Sequence, residues 1–171
     1  HVFSSAGEYE FSWGSLGPGP GEFHLPHGLD VDSKGRVFVA DRENNRIQIF
    51  DAEGTFLEEW IDIIRPTDLF INDDDTVFVA EEGLRCGLFP WMTPDPNAIG
   101  GRLSIFSDTG ELLARWGGGH SPCSPNDFYA PHSMWLDSAG TIYVGEVNWS
   151  AGGKDGELPP DCPCLRRYIR V

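Results

Sequence analysis

A chain of 171 residues with 27 acidic and 12 basic side chains carries a formal charge of −15 at pH 7. That balance excludes the basic footprint on which nucleic-acid binders depend. Its 21 Gly and 13 Pro, about a fifth of all residues, argue against a helix bundle, because both weaken helix interiors. With 40% hydrophobic and 12% aromatic residues it can still build a packed core, unlike a disordered segment. No apolar run approaches the ~18 residues of a membrane helix, and no signal peptide is visible.

The elements repeat along the chain. Residues 1–14 carry Phe3, Gly7 and Trp13, a spacing that returns as Phe50, Gly54, Trp60 and as Phe106, Gly110, Trp116. This stretch therefore reads as the end of a repeating β unit. A full unit follows over residues 26–60. Pro26-His27-Gly28-Leu29-Asp30-Val31 leads through a Ser33-Lys34-Gly35 turn into Val37-Phe38-Val39-Ala40 and the carboxylate Asp41. The run Arg46–Phe50 and the segment ending at Trp60 complete it. The next unit, residues 66–116, starts at Pro66-Thr67-Asp68 and repeats the pattern through Val77–Ala80, Glu81, Arg102–Phe106 and Trp116, with an insertion at 82–101. The last, residues 131–171, runs from Pro131-His132-Ser133 through Ile142–Gly145 and Glu146 to a third run, Leu165–Ile169, with no fourth after it.

Short β-branched and aromatic runs separated by turn residues predict four antiparallel strands per unit. One such sheet cannot bury both its faces, so the units must stack, and radial stacking gives an all-β propeller. The chain is thus expected to be part of a single β-propeller domain, with two complete blades and two partial ones.

Equivalent positions in successive blades form a ring around the axis. The residue after each leading proline is His27, Thr67 or His132. Two histidines two blades apart, with a third from elsewhere, would make the three-nitrogen set that holds a catalytic zinc with an open fourth position. The alternative is two ordinary channel-mouth histidines making one hydrogen bond each. Arg42 follows Asp41 and could grip a carboxylate bidentately; the alternative is a surface arginine paired with Glu43 or Asp41. The recurring carboxylates Asp41, Glu81 and Glu146 are expected to accept turn amides, and Arg46 and Arg102 recur as parts of the repeat. His24 and His120 read as solvated loop residues, and Asp73-Asp74-Asp75 as a solvated turn with too few ligands for calcium. Trp13, Trp60 and Trp116 read as blade packing. Phe89, Trp91 and Met92 of the insertion could shape a rim. Cys86, Cys123, Cys162 and Cys164 allow three pairings, among which the spacing does not choose. A disulfide would favour an extracellular or periplasmic setting over the cytoplasm.

The stretch from Pro26 to Phe50 closely resembles the NHL repeat, a propeller family commonly of six blades. The two Pro-His units, the Pro-Thr-Asp unit between them and Ala40-Asp41-Arg42-Glu43-Asn44 look like the peptidyl-α-hydroxyglycine α-amidating lyase group of that family. The resemblance implies a zinc held by three Pro-His histidines, of which His27 matches the second and His132 the third. It also implies that Arg42 binds the substrate carboxylate. The first zinc histidine and the catalytic tyrosine would lie upstream of His1, so the chain would hold about half of the propeller. The acidic residue associated with calcium in that group is Ser133 here, which leaves calcium doubtful. The implied activity is a zinc-dependent lyase that cleaves a C–N bond of a small-molecule or peptide substrate to give an amide and glyoxylate. The alternative is a non-catalytic NHL scaffold that binds a protein or peptide. No nucleic-acid or membrane partner is expected. A calcium-dependent hydrolase fits poorly, since the ring positions carry His, Thr and His.

Overall fold

The computed structural model describes residues 1–86, 93, 95 and 97–169. Among the described residues fifteen strands run in chain order: β1 (Val2–Phe3), β2 (Tyr9–Phe11), β3 (Ser15–Leu16), β4 (Glu22–Phe23), β5 (Pro26–Val31), β6 (Val37–Asp41), β7 (Arg46–Phe50), β8 (Phe56–Trp60), β9 (Pro66–Ile71), β10 (Val77–Glu81), β11 (Arg102–Phe106), β12 (Leu112–Gly117), β13 (Pro131–Leu136), β14 (Ile142–Glu146) and β15 (Leu165–Tyr168). Two sheets have four strands, in the orders β5-β6-β7-β8 and β12-β11-β10-β9. A third has three, in the order β13-β14-β15, and β1 pairs with β2. All of these pairings are antiparallel. These are propeller blades. Not predicted are the parallel pair β3 and β4 across the Gly- and Pro-rich stretch 17–21, the short helix Asn148–Ala151 and the 3₁₀ turns Arg42–Asn44 and Gly153–Asp155. No helix among the described residues is long and apolar enough to cross a membrane.

The blades are closed by local hydrogen bonds. Asp32, Asp51 and Asp137 each accept two backbone amides of their own turn through one carboxylate oxygen, a side-chain mimic of a backbone turn. The first hairpin of each blade needs a left-handed residue at the same offset from its proline. Gly35 (φ +79°) and Gly140 (φ +75°) fill it freely, whereas the middle blade uses Asp75 (φ +62°). Asp75 is not merely solvated, as its Asp-rich turn suggested. Its carboxylate accepts Ser33 N and Ser33 Oγ of the preceding blade at 2.8 and 2.7 Å.

Apolar contacts between blades form the core. One cluster joins Phe38, Ile47, Ile49 and Trp60 to Leu69, Val77, Val79 and Phe106. A second joins Ala80 and Leu103 to Met134, Val144 and Phe128. The recurring tryptophans pack forward, each onto the aromatic residue near the end of the next blade's third strand. Trp13 meets Phe50, Trp60 meets Phe106 and Trp116 meets Tyr168, with ring centroids 6.1, 5.5 and 5.7 Å apart.

The recurring carboxylates hold each blade's entry. Asp41 accepts His24 N (2.8 Å), Glu81 accepts Ile64 N (2.6 Å) and Glu146 accepts Tyr129 N (2.8 Å). Each donor lies two residues before the blade's proline. Each carboxylate also takes an arginine from the third strand: Arg46, Arg102 or Arg166. The expected role as acceptors of turn amides is what the geometry shows, with a buried guanidinium added.

Candidate functional site

The first residue after each leading proline sits at a β-bulge. In the first full blade Pro26 pairs with Asp41 and Gly28 with Ala40, so His27 is the extra residue. The same slip occurs between Pro131 and Ser133, leaving out His132, and between Pro66 and Asp68, leaving out Thr67. A bulge re-aims the side chain of its extra residue, which is why bulges gather near functional sites. Three bulges at one offset set His27, Thr67 and His132 side by side on adjacent inner strands.

The two imidazoles are brought into contact. Their ring centroids are 4.5 Å apart, edge to face at 83°. Thr67 lies between their strands. His27 Nδ1 is 2.6 Å from the carbonyl oxygen of Thr67. A carbonyl only accepts, so Nδ1 carries the proton, and in the neutral ring Nε2 keeps the lone pair. Thr67 Oγ1 in turn donates to the carbonyl of Pro131 at 2.9 Å, with the Ala80 carbonyl at 3.2 Å. Gly28 lets the strands approach this closely: a Cβ there would lie 2.9 Å from Asp68 Cα and 3.1 Å from Thr67 O.

Both histidines are half-buried, and burial lowers their pKa values below the ordinary 6.5. For His27 the bond to Thr67 opposes that shift and the charge of Arg42 adds to it. For His132 the neighbouring His27 and then Arg42 push the same way. Neutral imidazoles at pH 7 are the state that ligates metal. Zinc accepts nitrogen donors of this kind, with the other ring nitrogen held by a carbonyl, so the pair suits the metal that the sequence suggested. Among the described residues no group of three His, Cys, Asp or Glu converges on one point; the pair supplies two donors.

Arg42 is not a surface residue. It is buried, opens the 3₁₀ turn Arg42–Asn44 after β6 and pairs with Glu43 Oε1 at 2.9 Å. Its Nη1 lies 3.8 Å from Glu82 Oε2. The charge of Arg42 lowers the pKa values of both His27 and His132.

Two participants were missed in the sequence, Arg65 and Glu82. Arg65 is fully buried and reaches Glu43 and Glu82 at 3.1 and 3.0 Å. Burial pushes the Glu82 carboxyl up, while Arg65 and Arg42 pull it down. The signal lay in the repeat. Glu82 stands sixteen residues after its proline, as Arg42 does. Both backbone amides donate to the carbonyl of the residue before the blade's proline, Leu25 for Arg42 and Arg65 for Glu82.

Other sequence candidates fall elsewhere. His24 contributes its backbone amide to Asp41. His120 Nδ1 lies 3.0 Å from Arg85 Nη2 on the surface. Phe89, Trp91 and Met92 lie outside the described residues. Of the open cysteine pairings the structure selects Cys123–Cys162. Cys86 is a buried thiol and Cys164 an exposed one.

Residues 23–50 match the NHL repeat. The chain is 52% identical over 139 residues to NHL repeat-containing protein 3 of Homo sapiens, covering 78% of this chain and 36% of the relative. It is 46% identical over 160 residues to peptidyl-glycine alpha-amidating monooxygenase A of Xenopus laevis, covering 87% of this chain and 16% of that protein. The chain thus spans about a third and about a sixth of these relatives. Among solved structures, virginiamycin B lyase from Staphylococcus aureus shares the fold, with a TM-score of 0.52 at 18% identity over 85% of this chain and 41% of that one.

Proposed function

Taking the chain as part of an NHL-repeat β-propeller, we propose that it carries one sector of a zinc-dependent lyase site that cleaves a C–N bond of an α-hydroxyglycine substrate, giving an amide and glyoxylate. One observation carries this reading. Two neutral imidazoles touch at a repeated bulge, and the Nδ1–H of His27 is held by a carbonyl, which leaves Nε2 to bind. Similarity to an amidating monooxygenase over 87% of the chain supports it.

His27 and His132 would hold the metal. When bound, zinc supplies Lewis acidity toward a substrate hydroxyl. The chain's own residues bind and orient. The charge of Arg42 lowers both histidine pKa values, and in this reading its guanidinium binds the substrate carboxylate. Glu43 and Glu82 fix that guanidinium in place. Arg42 and Arg65 together balance Glu43 and Glu82, so a substrate carboxylate would compete with Glu43 for the guanidinium.

The test is glyoxylate release from an N-acyl-α-hydroxyglycine by the full-length protein. The proposal expects turnover, its loss in His27→Ala and His132→Ala, and a raised KM in Arg42→Lys, which keeps the charge but loses the planar fork. A fully active double histidine variant would overturn it.

A second reading is a non-catalytic scaffold for a protein or peptide. The ion pairs that already engage Arg42 favour it, as does the similarity to NHL repeat-containing protein 3. Under that reading the full-length protein releases no glyoxylate.

A further inference from the structure

We propose that Thr67 is the positioning residue that couples the two histidines, through a side-chain hydroxyl that ties the His132 strand to the bulge that already holds His27. Thr67 is buried, and both of its polar groups act at once. Its carbonyl accepts His27 Nδ1–H at 2.6 Å. Its hydroxyl donates to the Pro131 carbonyl at 2.9 Å, the peptide group that leads into His132. One residue therefore links a ring on β5 to the backbone of β13 across β9. The hydroxyl has a single proton, and the Pro131 carbonyl is nearer than that of Ala80. The bond across to β13 is thus the better placed of the two.

The neighbouring carboxylate works in parallel. Asp68 Oδ2 accepts Met134 N at 2.9 Å and Ser133 Oγ at 3.1 Å. It fixes β13 on the far side of His132 from Pro131. Thr67 and Asp68 thereby hold His132 from both flanks. Asp68 acts on the strand, whereas Thr67 alone also touches His27. Valine at position 67 keeps the shape and removes the hydroxyl. The Pro131 carbonyl then loses the Thr67 hydroxyl, and the Pro131–His132 peptide loses its direct tie to β9. The His27 bond is made by the backbone of residue 67 and survives the substitution, so the change falls on His132.

The test compares Thr67→Val and Thr67→Ser in the full-length protein by two readouts. The first is the ring-to-ring nuclear Overhauser contact between His27 and His132 in metal-free protein. The second is zinc affinity measured by competition with a chelator; this arm rests on the metal reading above. The expected result for Thr67→Val is a lost ring contact and zinc binding weakened by about 10–100-fold, the range usual for groups that orient a metal ligand. Thr67→Ser keeps the contact and stays close to the parent affinity. If valine prevents folding, Thr67→Ala replaces it, with the same loss expected. A Thr67→Val protein that keeps the ring contact overturns the proposal, as does a Thr67→Ser protein that loses it, because the hydroxyl would then not be responsible. A parent protein that binds no zinc sinks the metal reading alone. The ring contact still decides the role of Thr67.

Discussion

Gly28→Ala separates packing from backbone strain at the site. Gly28 does not need a left-handed conformation, so alanine is allowed by φ and would even gain about 0.4–1 kcal/mol by restricting the unfolded chain. The cost is steric. The added Cβ would lie 2.9 Å from Asp68 Cα and 3.1 Å from the Thr67 carbonyl, both backbone atoms of β9. Carbon atoms are comfortable at about 3.5–4.0 Å, so β5 and β9 must part by roughly half an ångström or more. Overpacking of this kind costs about 1–3 kcal/mol, and after the unfolded-state gain about 1–2 kcal/mol of destabilisation is expected. The same displacement stretches the 2.6 Å bond from His27 to Thr67. Denaturant unfolding measures the first effect, and the imidazole contact in metal-free protein measures the second. Gly35→Ala is the control. It sits at φ +79° with nothing within 4 Å of its Cβ, so it pays about 1–2 kcal/mol of left-handed strain and leaves the histidines in contact. A Gly28→Ala protein at least as stable as the parent, with the contact intact, would refute the claim that this glycine sets the strand approach.

The buried pair of Arg102 and Glu81 should behave as a unit. Arg102→Met removes the nearest cation from the fully buried Glu81 carboxylate, leaving it Arg115 at 3.8 Å and the Ile64 amide at 2.6 Å, and is expected to cost about 3 kcal/mol, the low end for breaking a buried pair. Adding Glu81→Gln should recover part of that loss in a double-mutant cycle, and additive losses would contradict the pairing. Stability should also depend on pH through the histidines. Their folded pKa values lie below 6.5, so the unfolded chain binds protons first as the solution is acidified. The stability they contribute is complete above pH 6.5 and falls as pH drops toward the folded values. The loss should be smaller in His27→Gln/His132→Gln, as followed by unfolding from pH 7 to 5; equal curves would contradict the assignment. Cys123→Ser opens a bridge spanning 39 residues and should cost about 2–4 kcal/mol. For this stretch the parent should show two free thiols under denaturing, non-reducing conditions, Cys86 and Cys164. Cys86 should react only after unfolding, since burial and the nearby Glu82 push its pKa up to about 12.

The blade pattern was legible because it is periodic. Pro, an apolar run and a carboxylate recur at fixed offsets, and the strands from β5 to β15 fall on those runs. His27, Thr67 and His132 could be placed on one ring for the same reason. Their bulges could not be read, since a bulge changes pairing and leaves no mark in composition. Without the bulge the two rings have no evident reason to touch. Arg65 and Glu82 escaped because each looked like an ordinary residue at the edge of a strand. The repeat offset already puts Glu82 at the Arg42 position of the next blade; what only the fold shows is that both side chains meet in one buried ion-pair cluster. The partner of Cys123 depended on where long inter-strand loops fold, which no local periodicity fixes.

The central claim is that His27 and His132 hold one zinc between them. Zinc content of the full-length protein, parent against His27→Ala/His132→Ala, tests it most directly after dialysis against a weak chelator. The account predicts a bound zinc in the parent that the double variant loses while remaining folded. Equal zinc content in both proteins would contradict it.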